Sequence, residues 1–204
     1  MDATKSEWRN GFLFVGNQLF LDFLNTRPLM NGELVEMLVD WPALVRWLRA
    51  AGLLNARQAE KLAHRGSSSE RTEVLGELLQ LRETLRKVVV QVEEGKPVNS
   101  STLAELNRLL TLYPSTDELR AVDSHIERTR QFDPQAPRDV LAPLVDHAAA
   151  LLSDCDPARI RKCEQCVLHF HDTSKNGTRR WCSMQLCGNR AKVKAYADRK
   201  RNSG

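Results

Sequence analysis

Four of the chain's five cysteines fall between positions 163 and 187, in two close pairs, Cys163-x2-Cys166 and Cys182-x4-Cys187, with fifteen residues between the pairs. This is the spacing of a structural zinc site: each pair forms a tight knuckle, and the intervening excursion brings the second knuckle back to the first. Four thiolates saturate tetrahedral Zn2+, whereas a catalytic zinc keeps a position open for water. The expected ligands are therefore Cys163, Cys166, Cys182 and Cys187, in a purely structural role. His169 and His171 alternate along a short segment with Phe170 and are expected on its polar face rather than on the metal. Cys155 lies outside the pattern and reads as a small buried hydrophobe.

The same stretch is strongly basic. Residues 159–204 hold twelve Lys/Arg and three Asp/Glu, a net +9, while the rest of the chain is at −5 and the whole at +4. An acidic body with a basic tail points to a polyanionic partner. The cations proposed for it are Arg179, Arg180, Arg190, Lys192, Lys194, Arg199, Lys200 and Arg201. On a helix beginning after Cys187, Arg190, Lys194 and Arg201 share one side and Lys192 and Arg199 the opposite one. Val193, Tyr196 and Ala197 lie between, available to pack on the finger. Such cations neutralise phosphates first, and an arginine that reaches a guanine edge adds sequence information.

Several elements must position these groups. Val167–Thr173, the Asn176-Gly177 dipeptide and Thr178–Cys182 read as a hairpin returning the chain to the metal. Gly188 suits a left-handed turn after the last ligand, and Asn189 a local backbone contact. About 45 residues with few large rings cannot fold on core burial alone, so metal binding is expected to be part of the folding free energy.

The preceding residues read as mainly helical. Phe12–Val15 is a short strand ended by Gly16-Asn17, and Leu19–Asn25 is either a buried helix or a strand. Asp40 caps a helix that has Pro42 in its first turn and Gly52 at its end. Asn55-x-x-Gln58 and Ser67-x-x-Glu70 open two more, the second reaching Gly95-Lys96-Pro97. Thr102-x-x-Glu105 starts another, and Asp139–Leu152 is the last. Residues 118–132 fit a helix or alternating strands. Asp22, Asn25 and Thr26 are polar within an apolar segment. Capping or buried hydrogen bonding explains them best, and lining a ligand pocket is the alternative.

No apolar run approaches the roughly 18 residues of a membrane helix, and no secretory leader stands at the start. A cytoplasmic protein with reduced thiols and no membrane association is expected. The fold class expected is a mainly α N-terminal domain with a few short strands, over residues 1–155. A treble-clef-like four-cysteine zinc finger with a basic C-terminal helix follows over residues 159–204.

Cys187-Gly188-Asn189-Arg190 spells CGNR, and the last forty residues resemble the bacterial CGNR zinc finger. Leu21-Asp22-Phe23-Leu24-Asn25-Thr26 and Trp47-Leu48 with Ala51-Gly52-Leu53 resemble the ABATE domain that accompanies this finger. The family is regarded as stress-induced bacterial transcription regulators. The resemblance implies DNA as partner, strands over residues 118–132, and an N-terminal domain that senses a small-molecule effector or mediates association, as in a homodimer. Two other classes stay open. One is a protein-interaction or RNA-binding zinc module, although Trp181 and Tyr196, the rings RNA would stack on, are expected in the finger's core. The other is an enzyme with an unrecognised N-terminal site, although G-x-S-x-G, H-E-x-x-H and phosphate-binding glycine loops are all absent.

Overall fold

A computed structural model describes residues 7–30, 32–114 and 116–202. A two-residue ribbon, β1 (Trp8–Arg9) and β2 (Phe12–Leu13), leads into a turn at Gly16-Asn17 and then helix α1 (Leu19–Leu24). The ambiguous apolar segment is thus a helix. It is apolar nearly all round because it is surrounded: Phe20, Leu21, Phe23 and Leu24 are all buried. A second ribbon, β3 (Leu29–Met30) and β4 (Glu33–Leu34), stays at the surface.

Three helices follow with the caps that the sequence calls for. In α2 (Trp41–Ala50) the Asp40 carboxylate accepts the Ala43 N–H at 2.7 Å. In α3 (Ala56–His64) Asn55 and Gln58 close a reciprocal capping box, 2.9 Å each way. In α4 (Ser68–Glu93) the Ser67 hydroxyl accepts from Glu70 N–H. The next helix, α5 (Ser100–Leu112), starts earlier than Thr102 because Asn99 is its cap and accepts the Thr102 N–H at 2.8 Å. Residues 118–132 form strands: β5 (Thr116–Val122) pairs antiparallel with β6 (His125–Gln131), Val122 opposite His125. Asp123, at φ 51°, makes the turn. Helix α6 (Leu141–Asp154) completes this part.

The main core is built around α1. Phe14 stacks on Trp47 at 6.2 Å between ring centroids, and Phe23 tilts onto Trp47 at 5.5 Å. Leu21, Leu44, Leu48, Leu62, Leu78 and Leu144 close around them with no exposed surface. Each such side chain stabilises the fold by roughly 1.5–3 kcal/mol relative to exposure. A guanidinium sits inside as well. Arg82 is 1% exposed, and its guanidinium binds Glu36 and donates to Thr26 Oγ1 at 2.7 Å. Burial is the largest influence and would raise the Glu36 pKa, but the Arg82 hydrogen bonds, the Leu38 N–H and the charges of Arg82 and Arg27 together outweigh it and hold the carboxylate below its ordinary range.

The C-terminal part comprises β7 (Ile160–Lys162), β8 (His169–His171) and helix α7 (Asn189–Asn202). Strand β8 pairs with β7, not with residues 178–182, so the ribbon closes around the first knuckle rather than between the two. Asp172 explains why. Its buried carboxylate accepts the Ser174 and Arg179 N–H groups at 2.9 and 2.8 Å, and its own N–H reaches Arg159 O at 2.7 Å. These bonds hold residues 172–179 without a return strand, and the returning segment meets the first knuckle through the Glu164 N–H to Arg180 O at 3.1 Å. Gly177 takes a positive φ of 61° while Asn176 does not, so the turn is not type I′.

Candidate metal centre

The first knuckle sits at the tip of the β7–β8 ribbon, where Cys163 N–H donates to Leu168 O at 2.9 Å. The second sits at the entrance to α7. Here Ser183 does the positioning. Its hydroxyl accepts the Leu186 N–H at 3.0 Å, and its carbonyl accepts from Cys187 and Gly188 at 3.1 and 2.9 Å. A single π turn, Met184–Gly188, results and delivers Cys187 to the site. Asn189, expected to fix the knuckle, is exposed and simply begins α7. Gly188 is not left-handed either. A Cβ there would come within 2.9 Å of Met184 Sδ and 3.5 Å of the Trp181 ring, so close packing is what favours glycine.

The four Sγ atoms lie within 4.8 Å of one another. Cys166 and Cys182 are 3.7 Å apart, and Cys182 and Cys187 3.6 Å. Sulfurs at the corners of a tetrahedron around zinc, each about 2.3 Å from the metal, stand about 3.8 Å apart. The donor set therefore fits Zn2+ in size, number and softness. All five cysteines are free thiols. Packed together, Cys163, Cys166 and Cys182 cannot all ionise unaided. Hydrogen bonds from Cys166 and Cys182 hold the Cys163 thiol far below its usual pKa, while the Cys163 thiolate pushes Cys166 up to about 12 and Cys182 higher still. A divalent cation at their centre reverses that penalty by favouring every thiolate at once.

The cations predicted for a polyanion divide into two groups. Arg179 is committed to the finger. Its Nε donates to Trp181 O at 2.7 Å, its Nη2 to Cys182 O, and its guanidinium lies 4.9 Å over the Phe170 ring. Arg190 donates to Cys187 Sγ at 3.0 Å, directly supporting one sulfur of the cluster. Arg180 is exposed and pairs with Glu164, and Arg201 pairs with Asp198. Lys192, Lys194, Arg199 and Lys200 are exposed along α7. Val193 and Tyr196 do not pack on the finger as expected; they are 68% and 65% exposed. The finger's core is completed by another source, Leu13 at the end of the N-terminal ribbon and Val15 just after it, which pack with Leu168, Phe170 and the cysteines.

His169 is not on a polar face. It is 3% exposed, its Nε2 3.4 Å from Glu93 Oε2 on α4. Burial pushes its pKa below that of an ordinary imidazole, with Glu93 pulling the other way. The residue that meets it is Asn25. The Asn25 side chain accepts the His169 N–H at 3.0 Å and donates to the His169 carbonyl at 2.8 Å, acting as a one-residue strand partner for β8. Asp22 accepts the Gly16 N–H at 2.7 Å, and the Gly16 carbonyl takes the His171 N–H at 2.8 Å. Thr26 donates to Phe23 O and accepts from Arg82. Asp22, Asn25 and Thr26 are thus buried hydrogen-bonding groups, and the first two hold the C-terminal part in place.

Residues 17–154 match the family ABATE, described as "Putative stress-induced transcription regulator", and residues 159–200 match the CGNR zinc finger. The chain belongs to the ABATE family. No curated protein matches it. In ABATE terms, the L-D-F-x-N-T stretch and the finger are two sides of one junction, since Asn25 bonds β8 directly and Asp22 fixes Gly16, whose carbonyl takes the His171 N–H. Neither matched family is an enzyme family. Among the described residues no helix is long and apolar enough to cross a membrane.

Proposed function

We propose that this ABATE protein is a cytoplasmic regulator that binds DNA through α7, with Zn2+ on Cys163, Cys166, Cys182 and Cys187 holding that helix in place. One observation carries the reading: a four-thiol centre sits at the first turn of a helix with six Lys/Arg and one Asp. The outward side of α7 supplies Lys192, Arg199 and Lys200, with Arg201 at its end and Arg180 beside it. Arg179 and Arg190 serve the finger itself. Bound Zn2+ supplies charge neutralisation and rigidity. The residues of the chain then present cations to phosphates, which gives affinity, steep salt dependence and little sequence information. The body, residues 1–155, positions the finger and provides the surface for an effector or a second copy, and residues 159–204 bind the polyanion.

Tyr196 favours a second reading. Exposed beside Lys192 and Lys200, it is placed to stack on an unpaired base, which single-stranded RNA offers. The deciding experiment is titration of the zinc-loaded protein with duplex DNA and with single-stranded RNA over a salt series. With those five cations engaged, the log–log slope on duplex DNA should not exceed about −4.5. A slope near zero, or tighter binding to RNA, rejects the DNA reading.

A further inference from the structure

Between α7 and the β3–β4 ribbon runs a groove of about 900 Å³. Its walls are Leu13, Leu29, Met30, Leu168, Val193 and Ala197, with Trp8 at the rim. Leu29 and Met30 are each 41% exposed, and Val193 faces them from α7. A groove of this size and apolar lining is that of a small-molecule site. Its charged side chains are of one sign, Arg190 and Lys194, with no Asp or Glu among the lining residues described; Gln165, Gln185 and Asn189 are its neutral polar groups, and it borders the metal centre at Cys166, Cys182 and Cys187. Arg190 is engaged with Cys187 Sγ. Lys194, one turn farther from the sulfurs, has no ion pair within the described residues, and it is the cation an incoming anion meets.

We propose that this groove binds an alkyl carboxylate, its chain lying along Val193 and Ala197 and its carboxylate on Lys194. The α7 wall of the groove runs from Asn189 to Ala197, eight residues or about 12 Å at 1.5 Å per residue, with its apolar contacts in the turn from Val193 to Ala197; an elongated groove of that kind suits an extended chain rather than a compact ring. Leu and Met walls adapt to such a chain more readily than rigid rings do. The ligand joins the ABATE part to the finger's helix, because one wall belongs to each. It closes α7 onto the β3–β4 ribbon and leaves the opposite side, with Lys192 and Arg199, outward. The groove as a binding site stands independently of the regulatory reading, and only its role as an effector site rests on that reading.

The test uses the full zinc-loaded chain without nucleic acid. Titration calorimetry with decanoate should show one saturable site per chain, and decan-1-ol should bind about tenfold more weakly for want of the charge-assisted contact. Lys194→Ala should weaken decanoate by a similar factor, and Val193→Asp should abolish binding. Both positions are exposed, so folding is not at issue. Lys192→Ala, on the far side, should leave decanoate affinity unchanged while lowering DNA affinity. That contrast separates failure of this site from failure of the DNA reading. Hydrogen exchange within residues 189–202 should slow when decanoate is bound. Equal binding of the alcohol, undiminished binding to Val193→Asp, or a preference for 2-naphthoate over decanoate overturns the proposal. So does a change in sedimenting mass in the groove variants, which would make the groove a contact between copies.

Discussion

Asn25→Ala tests whether the finger is held by the helical body rather than only tethered to it. The side chain is 1% exposed and satisfies both backbone groups of His169, at 3.0 and 2.8 Å. Truncation leaves a buried N–H and a buried C=O unpaired, each costing about 1–3 kcal/mol. The small cavity that forms is polar enough to admit a water to one of them. The expected loss is therefore about 2–4 kcal/mol, a large share of a typical domain's stability. Denaturant midpoints measure the loss, and exchange of the His169 amide localises it. Asn25→Asp sharpens the test. At neutral pH its carboxylate faces the His169 carbonyl without a proton to donate, so it should be worse than alanine. Burial raises its folded pKa, so its stability should recover as pH falls and be lost again as pH rises through that pKa. A destabilisation below about 0.5 kcal/mol, with His169 still protected, would refute the reasoning, since that is the scale of an uninvolved surface position.

Other consequences follow from individual contacts. Burial lifts the Asp22 pKa to about 6, with the Gly16 N–H and Arg9 acting against the shift. The native state thus keeps a proton that the unfolded chain releases near pH 4, and stability should fall by about 3 kcal/mol as pH rises from 4 to 6, then level off. Asp22→Asn retains an acceptor for Gly16 N–H and should remove that step, as urea midpoints across the range would show. Cys163→Ser should lower metal content in elemental analysis, and chelation of the wild type should expose residues 163–188 to hydrogen exchange while α2 and α3 stay protected. Arg190→Ala should speed zinc transfer to a chromogenic chelator about tenfold by removing the contact to Cys187 Sγ, with Lys192→Ala as an unaffected control.

What the sequence made legible was local. The Asn55 and Ser67 caps, the Pro42 start and the close spacing within each cysteine pair all act over fewer than six positions, and the structure places the caps and the helix start as read. Residues whose partners lie far along the chain were misread. His169 alternates like a polar-face residue, yet its backbone partner is 144 residues away at Asn25. The hairpin expected after the first knuckle is replaced by the hydrogen bonds of one buried carboxylate, Asp172, which no periodicity announces. Val193 and Tyr196 carry the right spacing for docking, but Leu13 and Val15 already fill the place they would take. Ser183 was the recoverable miss: Ser183-x-x-Leu186 places a hydroxyl to accept the N–H three residues on, a capping pattern just before the last ligand.

The origin of Leu13 and Val15 alters how the finger should be regarded. A module of about 45 residues needs its metal because its own core is too small. Here part of that core is lent by the start of the chain, and the knuckle ribbon is bonded to α1 through Asn25, Asn17 and Gly16. Metal loss and junction loss should therefore be coupled: removing zinc loosens β8, which weakens the Asn25 contact, and Asn25→Ala loosens β8, which weakens zinc binding. Reciprocity makes the two effects equal in free energy. The Asn25→Ala stability loss measured with zinc bound should exceed the loss without zinc by the same amount that the mutation weakens zinc affinity. Four independent titrations close that cycle, and a zero coupling energy would mean that the finger folds as a separate bead on the chain.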